Sequence, residues 1–320
     1  MKYVITGVDG KLGGRVAQNM ISNANPEELI FTCPDPVRIG SELRNHWESL
    51  GIELRQVNYD DPEGMVKSFA GGKRLFMVSG VLIGDKRVRQ HKNVIDAAVS
   101  AGMEHITYTS FLGATNPDYA HVYVTPDHTA TEFYLRDCGL DFNVMRNNLY
   151  LENYLTTAVM LALMSGNKWY TTAGEGRATF IAKDDSALAG AALLLGAGQS
   201  RQAYNITGSQ SVSQRELCEL VSNVSGINIE YCPVDQEEFF RYLDSINIPR
   251  DTDQDFSASP VPWCGNDMVT NEASIAEGLL DVKSTDFTFL TCRNPRTAQD
   301  LINNYRYIWE QKVTHWRDIK

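Results

Sequence analysis

The stretch that decides the fold is ITGVDGKLGGRV, Ile5 to Val16. A short apolar run, Tyr3 to Thr6, enters it, and helical spacing continues from it to about Ser22. Thr6, Gly7, Gly10 and Gly13 form T-G-x-x-G-x-x-G at a strand-to-helix turn. In that setting the first glycine permits a tight turn, the second lets backbone approach a pyrophosphate, and the third lets helix pack on strand. Amide groups at the helix start, over Lys11 and Leu12, would face the phosphates. Asp9 is the anomaly, because a carboxylate is a poor neighbour for a pyrophosphate.

The alternation that begins here continues. Strands are predicted at Leu29–Cys33, Glu53–Val57, Arg74–Val78, His105–Thr109 and Asp141–Met145. Helices are predicted between them, at Ser41–Ser49, Pro62–Phe69, Lys86–Ala101 and Pro126–Cys138. Such spacing implies an α/β fold, a Rossmann-type doubly wound parallel sheet. Beyond Tyr150 the pattern is irregular. It predicts a helix at Tyr154–Met164, a hairpin over Lys168–Ile181, a helix at Asp185–Leu195 and a strand at Ala203–Ile206. A helix over Ser213–Ser225 opens on the capping box SQRE. A strand at Ile227–Tyr231, a helix at Gln236–Ser245, a long loop from Pro249 to Gly265 and a last helix at Arg296–Lys312 complete the reading. The expected division is a dinucleotide-binding domain over 1–150, rejoined by 182–207, and a smaller substrate domain made of 151–181 and 208–320.

The 320 residues carry a formal net charge of −11 and no basic run, which argues against nucleic acid or an anionic membrane as partner. Six scattered cysteines without C-x-x-C spacing fit reduced thiols and a cytoplasmic protein. No secretory leader or spanning segment is expected. Nothing bears on assembly, and a homo-oligomer is left open. The histidines show no paired metal spacing, so no metal is expected.

The glycine motif, with YDDPEGMVKSFAGGKRLFMVSG, HKNVIDAAVSAGMEHITYTSF and HTATEFYLRDCGLDFNVMRNNLYLENY, resembles the NmrA-like branch of the atypical short-chain dehydrogenase/reductases. The likeness runs over roughly Met1 to Ser225. Its neighbourhood includes triphenylmethane reductases and the quinone oxidoreductase 2 type, with isoflavone and pinoresinol reductases further off. The resemblance implies a nicotinamide cofactor, approached at the adenine end by Asn58 and Tyr59. It places Ser79 and Gly80 at the nicotinamide ribose, and Asn147 and Asn148 at the nicotinamide end. Thr109 and Ser110 lie at the carboxyl edge of the sheet, where ligands bind.

NADPH-dependent members commonly carry Arg directly after the second strand; here Pro34 and Asp35 stand there. A carboxylate roughly 20 residues beyond the glycines is placed to bind a ribose 2′-hydroxyl and to repel a 2′-phosphate. Asp9 agrees with it, and Arg38 is the one nearby cation against it. NADH is the expected cofactor, with NADPH disfavoured.

Y-x-x-x-K, the usual acid of these dehydrogenases, does not occur in the chain. Aligned on CGLDF, His128 falls where isoflavone-reductase relatives carry a catalytic Lys. An ordinary imidazole titrates near pH ~6.5, so His128 is the candidate proton donor. Glu132, one turn on, would orient it, and Tyr123 is the rival donor. Tyr119 and His121 are expected near the substrate, and Tyr150, Tyr154, Trp169 and Trp263 are candidates for an aromatic wall. The expected activity is hydride transfer to a small activated aromatic or conjugated substrate, such as a quinone, an enone, a flavonoid-type heterocycle or a benzylic ether. The alternative is a non-catalytic NAD(H)-sensing regulator, since the name-giving members of the family turn nothing over.

Overall fold

The computed structural model describes residues 1–320. The first half runs β1 (Lys2–Ile5), α1 (Lys11–Asn23), β2 (Leu29–Cys33), α2 (Ser41–Ser49), β3 (Glu53–Gln56), α3 (Pro62–Phe69), β4 (Gly72–Met77), α4 (Asp85–Ser100), β5 (His105–Phe111), α5 (Thr125–Asp137) and β6 (Asp141–Asn147). After it come α6 (Val159–Met164), β7 (Lys168–Thr171), β8 (Arg177–Ala178), α7 (Lys183–Leu194) and β9 (Gln202–Ile206). Seven strands form one parallel sheet in the order β3-β2-β1-β4-β5-β6-β9. Helices cover both faces, so β2 and β5 are buried at every position and read as continuous apolar or hydroxyl runs. The strand order reverses between β1 and β4, which opens a crevice at their carboxyl ends.

One hydrophobic core lies on each side of the sheet, around Phe31, Trp47 and Phe287 on one face and Phe69, Ile95 and Tyr108 on the other. A third core, around Leu155, Trp169, Leu217 and Ile308, belongs to the irregular second half. There β10 (Val212–Ser213), α8 (Gln214–Ser225), β11 (Glu230–Pro233), α9 (Gln236–Ser245), α10 (Gly265–Ala276) and α11 (Asp286–Thr291) follow β9. The SQRE capping box forms as read: Ser213 accepts from the Glu216 amide, and Glu216 accepts from that of Ser213.

Three expectations need correcting. The predicted hairpin over Lys168–Ile181 does not form; β7 pairs in parallel with β11, and β8 pairs antiparallel with β10. Gly176 lies so close to α10 that a Cβ there would stand 2.3 Å from the Ile275 carbonyl oxygen, so the turn packs on a helix and does not close two strands on each other. The Tyr154–Met164 helix begins with a wide π-helical turn, Asn153–Ala158, before α6. The last helix is broken into α12 (Ala298–Leu301), a 3₁₀ turn (Ile302–Tyr305) and α13 (Tyr307–Glu310), with the weak helix formers Asn303 and Asn304 at the break. The Pro249–Gly265 loop holds no helix or strand before α10, yet it is tied down. Pro249 accepts from the Gly265 amide, Pro260 accepts from that of Trp316, and Asp251 accepts from the Tyr123 hydroxyl. No helix is long and apolar enough to cross a membrane.

Candidate active site

The glycine turn has the geometry its sequence demands. Gly7 adopts φ +65°, and a Cβ at Gly13 would stand 2.1 Å from the Gly7 carbonyl oxygen, inside any tolerable contact. Gly10 caps α1, whose first turn carries no acidic side chain. From this turn one cleft of about 710 Å³ runs across the sheet edge into the second half of the chain.

Asp9, Gly10, Lys11, Ser79, Gly80, Thr109, Ser110, Asn147, Asn148 and His128 line this cleft. Thr6, Gly7, Leu12, Gly13, Asp35, Asn58 and Tyr59 are not on its wall. Thr6 and Tyr59 are consumed in bracing strand ends: Tyr59 Oη lies 2.7 Å from Thr6 Oγ1 and 2.8 Å from the Val78 carbonyl. Asn58 accepts from the Asp60 amide in a local turn, and Leu12 sits in the core. Among the lining groups, Thr109 Oγ1 accepts from the Ser79 amide at 2.8 Å, and Asn148 donates to Thr179 and to the Leu280 carbonyl. Asn147 differs. Its carbonyl accepts from Ser186 at 2.7 Å, while its buried Nδ2 has no partner. Such a donor costs about 1–3 kcal/mol unless a ligand meets it.

Two lysines face the start of α1. Burial and then the Arg15 charge lower the Lys11 ammonium, and burial lowers Lys183 to about 8, with Glu152 opposing and Lys11 and Arg15 adding. Both line the cleft. Cations whose charged form is disfavoured, beside amide groups at a helix start, suit an anionic ligand.

At the end of β2, Asp9, Asp35 and Arg38 converge on Cys33. Burial and then the charge of Asp9 push that thiol up to about 11; the Asp35 amide opposes this, the Asp35 charge adds to it and Arg38 opposes it. Asp35 caps a 3₁₀ turn by accepting from the Val37 amide at 3.0 Å. Its other carboxylate oxygen makes no hydrogen bond within the protein.

His128 is buried in the first turn of α5, with Phe111 stacked against it at 6.4 Å between ring centroids. Its Nδ1 lies 2.7 Å from Tyr108 Oη. Burial, then the charge of Arg87, holds the imidazole well below its ordinary value. Burial therefore favours the neutral ring at pH 7. The partner expected for it is corrected. Glu132 does not touch His128; it accepts from Ser110 Oγ at 2.7 Å and pairs with Arg146 at 2.5 Å and 3.0 Å. With a buried carboxylate in a pair of this geometry, Glu132→Gln is expected to destabilise the fold by about 2 kcal/mol. Thermal unfolding of the variant beside the parent checks this, and an unchanged midpoint would contradict it. Tyr123 is not itself on the cleft wall, and its hydroxyl is bonded to Asp251. Tyr119 donates to the Leu279 carbonyl, and His121 pairs at the surface with Glu277.

Beyond His128 the cleft wall is aromatic. Tyr154, Trp169 and Trp263 line it, joined by Tyr170 and Tyr242, while Tyr150, also on the cleft, lies under the Lys183 ammonium at 5.3 Å. Polar groups punctuate this wall at Arg87, Asp267, Asn271 and Glu272. Glu272 is satisfied by Thr171, Gln214 and the Ala173 amide. Asn271 donates to Asp267 at 2.9 Å, while its buried Oδ1 has no partner.

Burial raises Asp267 to about 6, against the Arg87 charge and the Asn271 bond. A carboxyl whose folded-state value is raised contributes stability at low pH that is lost as pH rises through about 6. Asp267→Asn is therefore expected to gain about 2 kcal/mol on the parent between pH 4.5 and pH 7.5. Urea unfolding at both values checks this, and a difference independent of pH would exclude it.

The NmrA-like family profile matches residues 2–285. The chain belongs to the NmrA-like family. Quinone oxidoreductase 2 of Escherichia coli (strain K12) is 28% identical over 245 residues, spanning 77% of this chain and 82% of the relative. The solved triphenylmethane reductase of Citrobacter sp., complexed with NADP(H), superposes with a TM-score of 0.80 at 25% identity, covering 95% of this chain and all of that one (100%). The E. coli quinone oxidoreductase complexed with NADPH superposes at 0.82 with 24% identity, covering 94% of this chain and 99% of the other.

Within this NmrA-like chain, Tyr108, Arg87, Lys183, Asp267 and Asn271 escaped sequence reasoning. Arg87 stands in DKRVRQHK, which reads as a solvated helix face, yet it is buried. Lys183 is preceded by an apolar strand-like run and followed by two aspartates, a setting with the look of an exposed helix start. Asp267 and Asn271 are four apart on a helix where no element was predicted.

Proposed function

We propose that this protein is an NADH-dependent reductase of a small, flat aromatic or conjugated compound. The observation that carries the reading is the continuity of a single cleft, from Gly10, Lys11 and Lys183 at one end, past His128, to an aromatic wall at the other. The relatives named above are oxidoreductases, and two are seen with NADPH or NADP(H). On this reading residues 1–150 with 182–207 bind the dinucleotide, and residues 151–181 and 208–320 wall the substrate.

Reduced nicotinamide, when bound, supplies the hydride. Gly10 and the two lysines would hold the pyrophosphate, Ser79, Gly80 and Thr109 would border the nicotinamide ribose, and the free Nδ2 of Asn147 would meet the carboxamide. As hydride adds to an electrophilic carbon, the displaced electron pair moves to a conjugated or ether oxygen. His128, being neutral, serves as hydrogen-bond donor to that oxygen, which takes its proton from water. A conjugated acceptor needs no stronger acid, consistent with the missing Tyr-x-x-x-Lys. The partner-free Oδ1 of Asn271 would accept from a substrate hydroxyl.

The experiment is oxidation of NADH, with NADPH alongside, against a quinone, a chalcone, a flavanone, a benzylic ether and a triarylmethane dye. Turnover of one class with NADH supports the proposal. Tight NADH or NAD⁺ binding with no turnover of any class would favour the nucleotide-sensing regulator.

A further inference from the structure

We infer that a buried set of contacts, in which the Gly80 amide sets the tautomer of His91 and the protonated His91 Nδ1 turns the Tyr108 hydroxyl toward His128, fixes His128 as the Nε2–H tautomer and aims that donor into the cleft. The inference rests on His128 being the group that serves the substrate oxygen, and it names what positions it.

The direction of these contacts follows from the first of them. The Gly80 amide lies 2.8 Å from His91 Nε2 and can only donate, so that nitrogen presents its lone pair. His91 is wholly buried, and burial followed by the Arg87 charge lowers it to about 3. It is thus neutral, with its proton on Nδ1. That Nδ1–H donates to Thr131 Oγ1 at 2.8 Å, and the Thr131 hydroxyl donates to the Asp127 carbonyl at 2.8 Å.

Tyr108 Oη stands 3.4 Å from the same His91 Nδ1 and 2.7 Å from His128 Nδ1. Burial pushes the phenol above its ordinary value, so it keeps its proton. The proton cannot point at His91 Nδ1, which already carries one. It goes to the shortest contact, His128 Nδ1. A neutral imidazole that accepts at Nδ1 carries its hydrogen at Nε2. Nε2 makes no hydrogen bond within the protein, and His128 lines the cleft. Phe111 on one face holds the ring plane. Tyr108 and His91 are therefore positioning residues, buried so that no water competes for their bonds.

The contacts begin at a residue expected beside the nicotinamide ribose. The same loop that borders the cofactor thus sets the tautomer of the group that meets the substrate.

The test is a long-range ¹H–¹⁵N correlation on protein labelled with ¹⁵N-histidine, with His128 assigned from the His128→Ala spectrum. The expected signature at pH 7 is a protonated Nε2 and an unprotonated Nδ1. In Tyr108→Phe, which keeps the ring and loses the hydroxyl, the two nitrogens should shift toward a mixture of tautomers. Its kcat on the best acceptor should fall about 10-fold with the KM for NADH unchanged. A wild-type His128 protonated at Nδ1 would overturn the inference, and needs no variant to fold. So would Tyr108→Phe with both tautomer and kcat unaltered. Undiminished turnover by His128→Ala beside the expected wild-type signature would sink the function proposed for His128 while supporting the tautomer assignment.

Discussion

His128→Ala is expected to lower kcat by about 10²–10³ while leaving the dissociation constant for NADH within about twofold. The asymmetry follows from position. His128 faces the part of the cleft beyond the sheet edge, and Gly10, Lys11 and Lys183 lie at its other end. Removing a preorganised donor costs the transition state, where charge reaches the substrate oxygen, more than it costs the ground state. Stopped-flow reduction of the best acceptor and fluorescence titration of NADH separate the two effects. Loss of both would mean a collapsed cleft, and loss of neither would move the donor elsewhere. Because the imidazole is held neutral by burial and by Arg87, no acid limb near its ordinary value should appear in the turnover profile.

Asp35→Arg is expected to move the ratio of NADPH to NADH affinity by about 10²-fold toward NADPH, with Asp35→Ala intermediate. Two carboxylates, Asp9 and Asp35, meet at the end of β2, and one Arg38 opposes them. A 2′-phosphate brought there faces net repulsion, whereas a 2′-hydroxyl can donate to the unused oxygen of Asp35. The substitution removes one negative charge and adds a cation able to grip a phosphate with two parallel bonds. Titration with both nucleotides gives the ratio directly. An unchanged ratio would mean that Asp35 only caps its 3₁₀ turn. On the proposed reading the anomaly of Asp9 in a phosphate-binding turn has the same explanation: its carboxylate would join Asp35 in disfavouring a 2′-phosphate.

The first half of the molecule was legible because its signals are local. Alternation of apolar runs with helical spacing sets each strand and helix, and the glycine turn sets where they begin. The boundaries of β2, α2 and α3 come out as read. Thr6 and Tyr59 show the limit of such reading. Both stand in the right motif, yet the strand ends use their hydroxyls before any ligand could. The second half was less legible because its pairings are distant. β7 finds β11 some sixty residues on, and nothing in KWYT names that partner. Glu132 failed as a partner for His128 because Arg146, on the neighbouring strand, competes for it with a full charge at 2.5 Å. Tyr108 was hidden in a buried strand, where a tyrosine reads as core.

β9 docks beside β6 at the sheet edge, yet reaches it only after the chain has built part of the cleft wall over residues 151–181. The molecule is stitched, passing from sheet to wall, back to the sheet, and out again. A fragment ending at residue 150 would leave β6 as a bare edge, with a row of unpaired amides and carbonyls open to any other chain. On the ribosome the seven-stranded sheet cannot close until about residue 206 has emerged, with the wall already begun. The two halves are thus made as one article of assembly, and domain-by-domain grafting at residue 150 would cut the thread that joins them.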